Sequence, residues 1–188
     1  ILEAHQTHTE AVSKVTLALE NLGIPYGMSV RHEIKSLKRY HLILTVGGDG
    51  TFLRSAHFVK NQLIMGINSS PHLSVGALCT VTINDFEKKL TQILAGRFHV
   101  RSVTRIQIRV NGKVLPVEAV NDILFTNNSP AATSRYYIHH KGQHEEHKSS
   151  GIWIASASGS TAVISALGGR KMKPTEKRFQ RRERRDAE

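Results

Sequence analysis

The spacing of apolar side chains changes along this 188-residue chain, and each change predicts an element. In residues 9–22, Val12, Val15, Leu19 and Leu22 recur at helical spacing, with Thr9 placed to cap the helix and Gly23 to end it. Residues 41–46 (His-Leu-Ile-Leu-Thr-Val) form a short continuous apolar run, the pattern of a strand buried on both faces, and residues 62–67 repeat it. Between them, Gly47-Gly48-Asp49-Gly50 reads as a turn and Thr51 to Val59 as a helix. Asn84 or Asp85 is placed to cap a helix that runs through Leu94 and closes at Gly96. Strand–helix–strand–helix predicts an α/β unit around a mainly parallel, Rossmann-like sheet.

From residue 97 the texture differs. Residues 103–110 alternate, with Val103, Arg105, Gln107 and Arg109 on one face and Thr104, Ile106, Ile108 and Val110 on the other. Asn111-Gly112 is a two-residue hairpin signal, and residues 114–126 return as a second strand, broken at Pro116. Ser134 to His140 and Gly151 to Ala157 are further strands, Lys141 to Lys148 a solvated loop, and 160–167 a short helix. The fold class is therefore α/β with a β-rich second domain. The expected division is 1–96, 97–169 and a basic tail, 170–188.

Composition narrows this picture. The formal net charge is +11, and residues 170–188 hold nine Lys or Arg against four Asp or Glu. We read that tail as a solvated segment rather than a nucleic-acid-binding arm; a basic body suits a protein with polyanionic phosphate ligands. One cysteine, Cys79, excludes a disulfide framework and a multi-cysteine zinc site, and it reads as a small buried side chain. No run approaches the roughly 20 apolar residues of a membrane helix. No signal-peptide pattern opens the chain, so a cytoplasmic location is the expectation. The histidines at 139, 140, 144 and 147, with Glu145 and Glu146, lack the spacing of a helical zinc motif, and no metal site is assigned to them.

Three segments carry candidate chemistry. Gly47-Gly48-Asp49-Gly50-Thr51 joins a buried strand to a helix. Its glycines admit a phosphate close to the backbone, and the helix start aims free N–H groups at it. An aspartate in such a cradle repels phosphate unless it accepts a proton, holds Mg²⁺, or merely caps the helix. There is no Walker lysine, so this is not a P-loop. The second segment is Asn121-Asp122 inside an apolar strand, where two polar side chains need a partner such as a ribose. The third is Ser158-Gly159-Ser160-Thr161-Ala162, following the strand Ile152 to Ala155, where small residues suit a phosphate or a nucleotide hydroxyl.

In this order, across roughly residues 40–169, the three segments resemble the NAD kinase family. Gly-Gly-Asp-Gly by itself is shared with diacylglycerol, sphingosine and phosphofructokinase-type kinases. Asn121-Asp122-Ile123-Leu124, Pro130 to Arg135 and Ser149-Ser150-Gly151 look most like the plant NADH kinase branch and bacterial relatives. The resemblance implies transfer of the ATP γ-phosphoryl to the 2′-hydroxyl of the adenosine ribose of NAD or NADH, with Mg²⁺. It implies Asp49 as general base and Gly47, Gly48, Gly50 and Thr51 around phosphate. Asn68, Asn121, Asp122, Ser158, Thr161 and Ala162 are implied at the nucleotides. It also implies that both domains contribute to one active site and that the protein is a homo-oligomer, a dimer in the family's manner. Ser149-Ser150-Gly151 stands where many members have Gly-Asp-Gly, and Ala77 and Val163 where many carry aromatics. Those departures, and an ending soon after Gly169, keep two alternatives open: a diacylglycerol-type lipid kinase and a non-catalytic NAD(H)-binding protein or fragment.

Overall fold

The structure, a computed structural model, describes residues 2–73, 76–129, 131–173 and 180–183. They fall into two units, Ile1–Arg101 and Ser102–Glu188.

In the first unit, helix α1 (Leu2–Asn21) buries Ala11, Val15, Ala18 and Leu19 along one stripe. The helix starts upstream of the expected position, so Thr9 is interior. Its hydroxyl donates to the His5 carbonyl at 3.0 Å instead of capping. Gly23 does end it: at φ +63 its N–H bonds the Glu20 carbonyl, and the Ile24 N–H reaches back to Leu19 at 2.9 Å. Leu22 lies past the last turn and is 41% exposed.

Strands β1 (Leu42–Gly47), β2 (Leu63–Asn68) and β3 (Val81–Thr82) form a parallel sheet in that order. Along β1, Ile43, Thr45 and Gly47 are buried, while Leu42, Leu44 and Val46 pack half-buried against the core. A strand covered on both sides needs an apolar run rather than alternation. Helix α2 (Asp49–Ala56) follows β1, starting two residues before the expected Thr51. Helix α3 (Phe86–Leu94) begins after Asp85, whose carboxylate accepts a hydrogen bond from the Thr82 hydroxyl at 2.8 Å. Val15, Ala18, Leu19, Ile67, Val81, Phe86 and Leu90 form the core, which joins α1 and α3 to the sheet.

The second unit is built from hairpins. Strands β4 (Ile106–Val110) and β5 (Lys113–Ala119) are joined by Asn111 and Gly112 at φ 48 and 77, the left-handed pair of a type I′ turn. The expected single strand over 114–126 is two strands in different sheets. It divides at Val120-Asn121 rather than at Pro116, and β6 (Asp122–Phe125) leaves to pair antiparallel with β9 (Ile152–Ala155). β7 (Ser134–His140) and β8 (Gln143–Ser149) form a separate hairpin turned by Lys141 and Gly142 at φ 51 and 77. The segment expected to be a solvated loop is therefore a strand; its charged and histidine side chains hid a pattern that backbone pairing supports. The expected 160–167 helix is a 3₁₀ turn (Ser158–Thr161) followed by α4 (Val163–Ala166). In the tail, β10 (Gln180–Glu183) pairs antiparallel with β9, so this part is not a solvated coil. The rest of the tail beyond Lys173 lies outside the described residues.

Leu90 is 1% exposed in the core and Leu17 is 56% exposed on α1. Leu90→Ala is expected to lower unfolding free energy by about 2–5 kcal/mol, and Leu17→Ala by no more than about 0.5 kcal/mol. Urea unfolding of both variants reads the difference.

Candidate functional site

In an α/β sheet, ligands approach the carboxyl ends of parallel strands. Gly47 ends β1 and Asn68 ends β2, and the two are paired in register. The chain turns sharply after β1: Gly47 is at φ +145, and a Cβ there would lie 2.8 Å from the Thr51 hydroxyl oxygen. Gly48 takes the N-cap position and Asp49 is the first helical residue. The α2 N-terminus thus opens at the strand end, with its unpaired N–H groups and positive dipole end. Gly50 is exposed, and Arg31 brings a guanidinium nitrogen within 3.8 Å of where its Cβ would stand.

Asp49 does not cap the helix. Its carboxylate reaches outward to three successive backbone groups. Ala77 N–H donates to Oδ2 at 2.9 Å; Leu78 and Cys79 N–H donate to Oδ1 at 2.9 and 3.1 Å. An ionised carboxylate offers about four acceptor positions; the N–H groups take two on Oδ1 and one on Oδ2, and the Cys79 thiol stands beside the carboxylate as a further donor. Asn68 is 4% exposed, and its side-chain oxygen accepts the Ser70 N–H at 3.0 Å. Sequence reasoning missed residues 77–79 because they act through backbone N–H groups, which have no side-chain signature. It also missed the contact of His8 Nδ1 with the Ser69 hydroxyl at 3.4 Å.

The second unit brings Asn121, Asp122 and the Ser158 segment together. Asp122 pairs with Ala155 across β6 and β9, and the Ser156 N–H donates to the Asn121 carbonyl at 2.8 Å. A Cβ on Gly159 would collide with that same carbonyl, so only glycine lets the 3₁₀ turn close on the strand. Ser156, fully buried, donates its hydroxyl to the Val120 carbonyl, a role the sequence did not reveal. Two buried side-chain polar atoms of this unit have no partner among the described residues, Asn121 Oδ1 and Ser158 Oγ; a third, Thr45 Oγ1, lies on β1 of the first unit. Such groups cost roughly 1–3 kcal/mol each if left unpaired, so a polar partner there would be stabilising. Burial raises the Asp122 carboxyl above its ordinary 3.8. Thr161 is exposed and Ala162 half-buried. Its backbone at φ −94, ψ −131 separates the 3₁₀ turn from α4.

A glycine turn and helix start at the ends of parallel strands, followed by a β-rich unit, define an α/β protein with a candidate anion-binding turn. The family model of the ATP-NAD kinase N-terminal domain matches residues 3–98, and the chain belongs to the ATP-NAD kinase family. It is 30% identical over 187 aligned positions to the probable NADH kinase of Oryza sativa subsp. japonica, covering 87% of this chain and 58% of that one. With the NADH kinase of Arabidopsis thaliana it shares 34% over 151 positions, covering 68% and 48%. The NAD kinase of Methanothermobacter thermautotrophicus is 30% identical, with coverage of 85% and 60%. The chain thus spans about half to three fifths of these relatives' length. The fold is shared with an Archaeoglobus fulgidus NAD kinase in complex with ATP (TM-score 0.69, 24% identity, 89% and 65% coverage). It is shared also with yeast NADH kinase complexed with NADH (TM-score 0.61, 22% identity, 75% and 43% coverage). The resemblance carried by the three segments, and the α/β class with a β-rich second part, are borne out.

Cys79, expected to be small and buried, is 3% exposed. Burial first, then the negative charge of Asp49 beside it, push its thiol from 9.0 up to about 12. At pH 8 we expect folded protein to be alkylated by iodoacetamide at least ~100-fold more slowly than urea-unfolded protein. Because the folded state keeps this proton, the Cys79 contribution to stability is intact below pH 9 and is lost as pH rises toward 12. Equal alkylation rates would contradict the burial.

Proposed function

We propose that this chain carries the phosphoryl-transfer chemistry of an NAD(H) kinase, giving NADP(H) from NAD or NADH and ATP. The observation that carries the reading is the Asp49 carboxylate, fixed by three backbone N–H groups at the strand end beside the start of α2, with only one of them on Oδ2. Membership of the ATP-NAD kinase family supports the donor and acceptor.

In the proposed step, the 2′-hydroxyl oxygen of the adenosine ribose attacks the γ-phosphorus. A ribose O–P bond forms, the bond from the γ-phosphorus to the β–γ bridging oxygen breaks, and ADP leaves. Asp49 takes the hydroxyl proton on Oδ2. Such transfer depends on positioning and charge neutralisation more than on covalent help. The N–H groups at Gly48, Asp49 and Gly50, with Gly47 and Thr51 shaping the turn, offset phosphate charge. Asn68 stands beside them on β2. Asn121 and Asp122 hold the dinucleotide, and Ser158, Thr161 and Ala162 line its adenosine. Asn121 Oδ1 and Ser158 Oγ, buried and unpaired, favour a polar acceptor over the apolar pocket that a lipid kinase needs.

Among the described residues no group of three or more His, Cys, Asp or Glu comes together to hold a metal. With Asp49 Oδ2 kept for the hydroxyl proton, Mg²⁺ would be held mainly by the ATP phosphates, where it would supply charge neutralisation. No helix among the described residues is long and apolar enough to cross a membrane.

The purified chain, given ATP, Mg²⁺ and either NAD⁺ or NADH, is expected to form NADP(H), and Asp49→Asn to lower kcat at least ~100-fold. The ratio of the two rates names the preferred dinucleotide. Turnover unaffected by Asp49→Asn removes the base assignment. Dinucleotide binding without turnover points to a binding protein instead, and phosphorylation of diacylglycerol to the lipid kinase.

A further inference from the structure

The three N–H groups that hold Asp49 depend on how the chain leaves Gly76. This residue is buried at φ +62, the left-handed region. A Cβ on it would lie 2.5 Å from Asn68 Nδ2 and 2.9 Å from the Cys79 carbonyl oxygen. Neither neighbour is free to retreat. Asn68 is buried and its other side-chain atom accepts the Ser70 N–H. Cys79 backs onto β2 so closely that a Cβ on Gly66 would stand 2.8 Å from its Cα. An added Cβ therefore presses on residues 77–79, which grip the carboxylate.

We propose that Gly76 is a positioning residue for Asp49: by turning left-handed without a Cβ, it lets three successive backbone N–H groups converge on the carboxylate, two on Oδ1 and one on Oδ2, and so aims Oδ2 at the reacting hydroxyl. The proposal rests on the kinase reading above. It assigns the aim of the base to the backbone of another loop rather than to the glycine turn in which Asp49 sits.

Gly96 supplies a matched comparison. It has φ +69 and nothing within 4 Å of an added Cβ, so its alanine carries similar backbone strain without touching residues 77–79. In the full chain, Gly76→Ala is expected to lower kcat by ~10- to ~100-fold with both KM values within about twofold of the unaltered protein. Gly96→Ala keeps its kcat. Equal kcat in the two variants overturns the positioning role while leaving the kinase reading intact.

If Gly76→Ala does not fold, amide hydrogen exchange of Asp49→Asn decides. The amide side chain has one acceptor oxygen, so at least one of the Ala77, Leu78 and Cys79 N–H groups should exchange ~10-fold faster or more. Unchanged exchange at all three overturns the clamp whether or not the chain turns over substrate. Absence of turnover in the unaltered chain, with those amides protected, overturns the kinase reading and the positioning role with it.

Discussion

A carboxylate bound to three consecutive backbone N–H groups organises the first unit. Asp49 begins α2, so the helix cannot shift without moving the carboxylate. The carboxylate is tied to residues 77–79, which pass against β2 on their way to β3. One side chain thus couples a helix start, two strand ends and a connecting segment. Each partner is itself constrained: Gly47 pairs with Asn68, Asn68 bonds Ser70, and Cys79 is buried. Charge-assisted hydrogen bonds are about twice as strong as neutral ones, which suits a joint that must hold direction as well as distance.

The second unit solves a different problem with the same materials. β6 and β9 run antiparallel, and the chain closes from β9 back onto β6 through Ser156 and Gly159. The Ser160 hydroxyl donates to the Ala157 carbonyl at 2.7 Å and accepts the Met172 N–H at 2.8 Å, so the turn is pinned from both sides. Its polar groups are nearly all spent on the backbone. The two that are not, Asn121 Oδ1 and Ser158 Oγ, sit on the two segments brought together. A rigid frame with a few unspent polar atoms is the arrangement expected of a preorganised ligand site.

Much of this was legible beforehand, and the reasons differ by element. The buried runs at 41–46 and 62–67 revealed parallel strands because a sheet covered on both faces leaves no polar alternation. Asn111-Gly112 revealed a hairpin because few other residues tolerate two positive φ values. β8 was hidden because Gln143 to Lys148 is polar on both faces, and an exposed ribbon imposes no pattern. The break at Val120-Asn121 escaped notice for a related reason: Pro116 looked like the weaker point, but an outer strand tolerates it. At the site, the glycines, Asp49, Asn121 and Ser158 announced themselves by residue type. The grip on Asp49 could not, since any residue but proline brings an N–H.

The single thiol of this chain has a practical side. Cys79 is the only cysteine, it is buried between β2 and Asp49, and its proton is held tightly. A cysteine introduced on an exposed position such as Lys141, at the tip of the β7–β8 hairpin, would carry an ordinary, accessible thiol. Maleimide dyes or spin labels would then modify the new position selectively, with the native sulfur left in place. Distance measurements by fluorescence or electron resonance can therefore begin from the natural sequence, without first building a cysteine-free background.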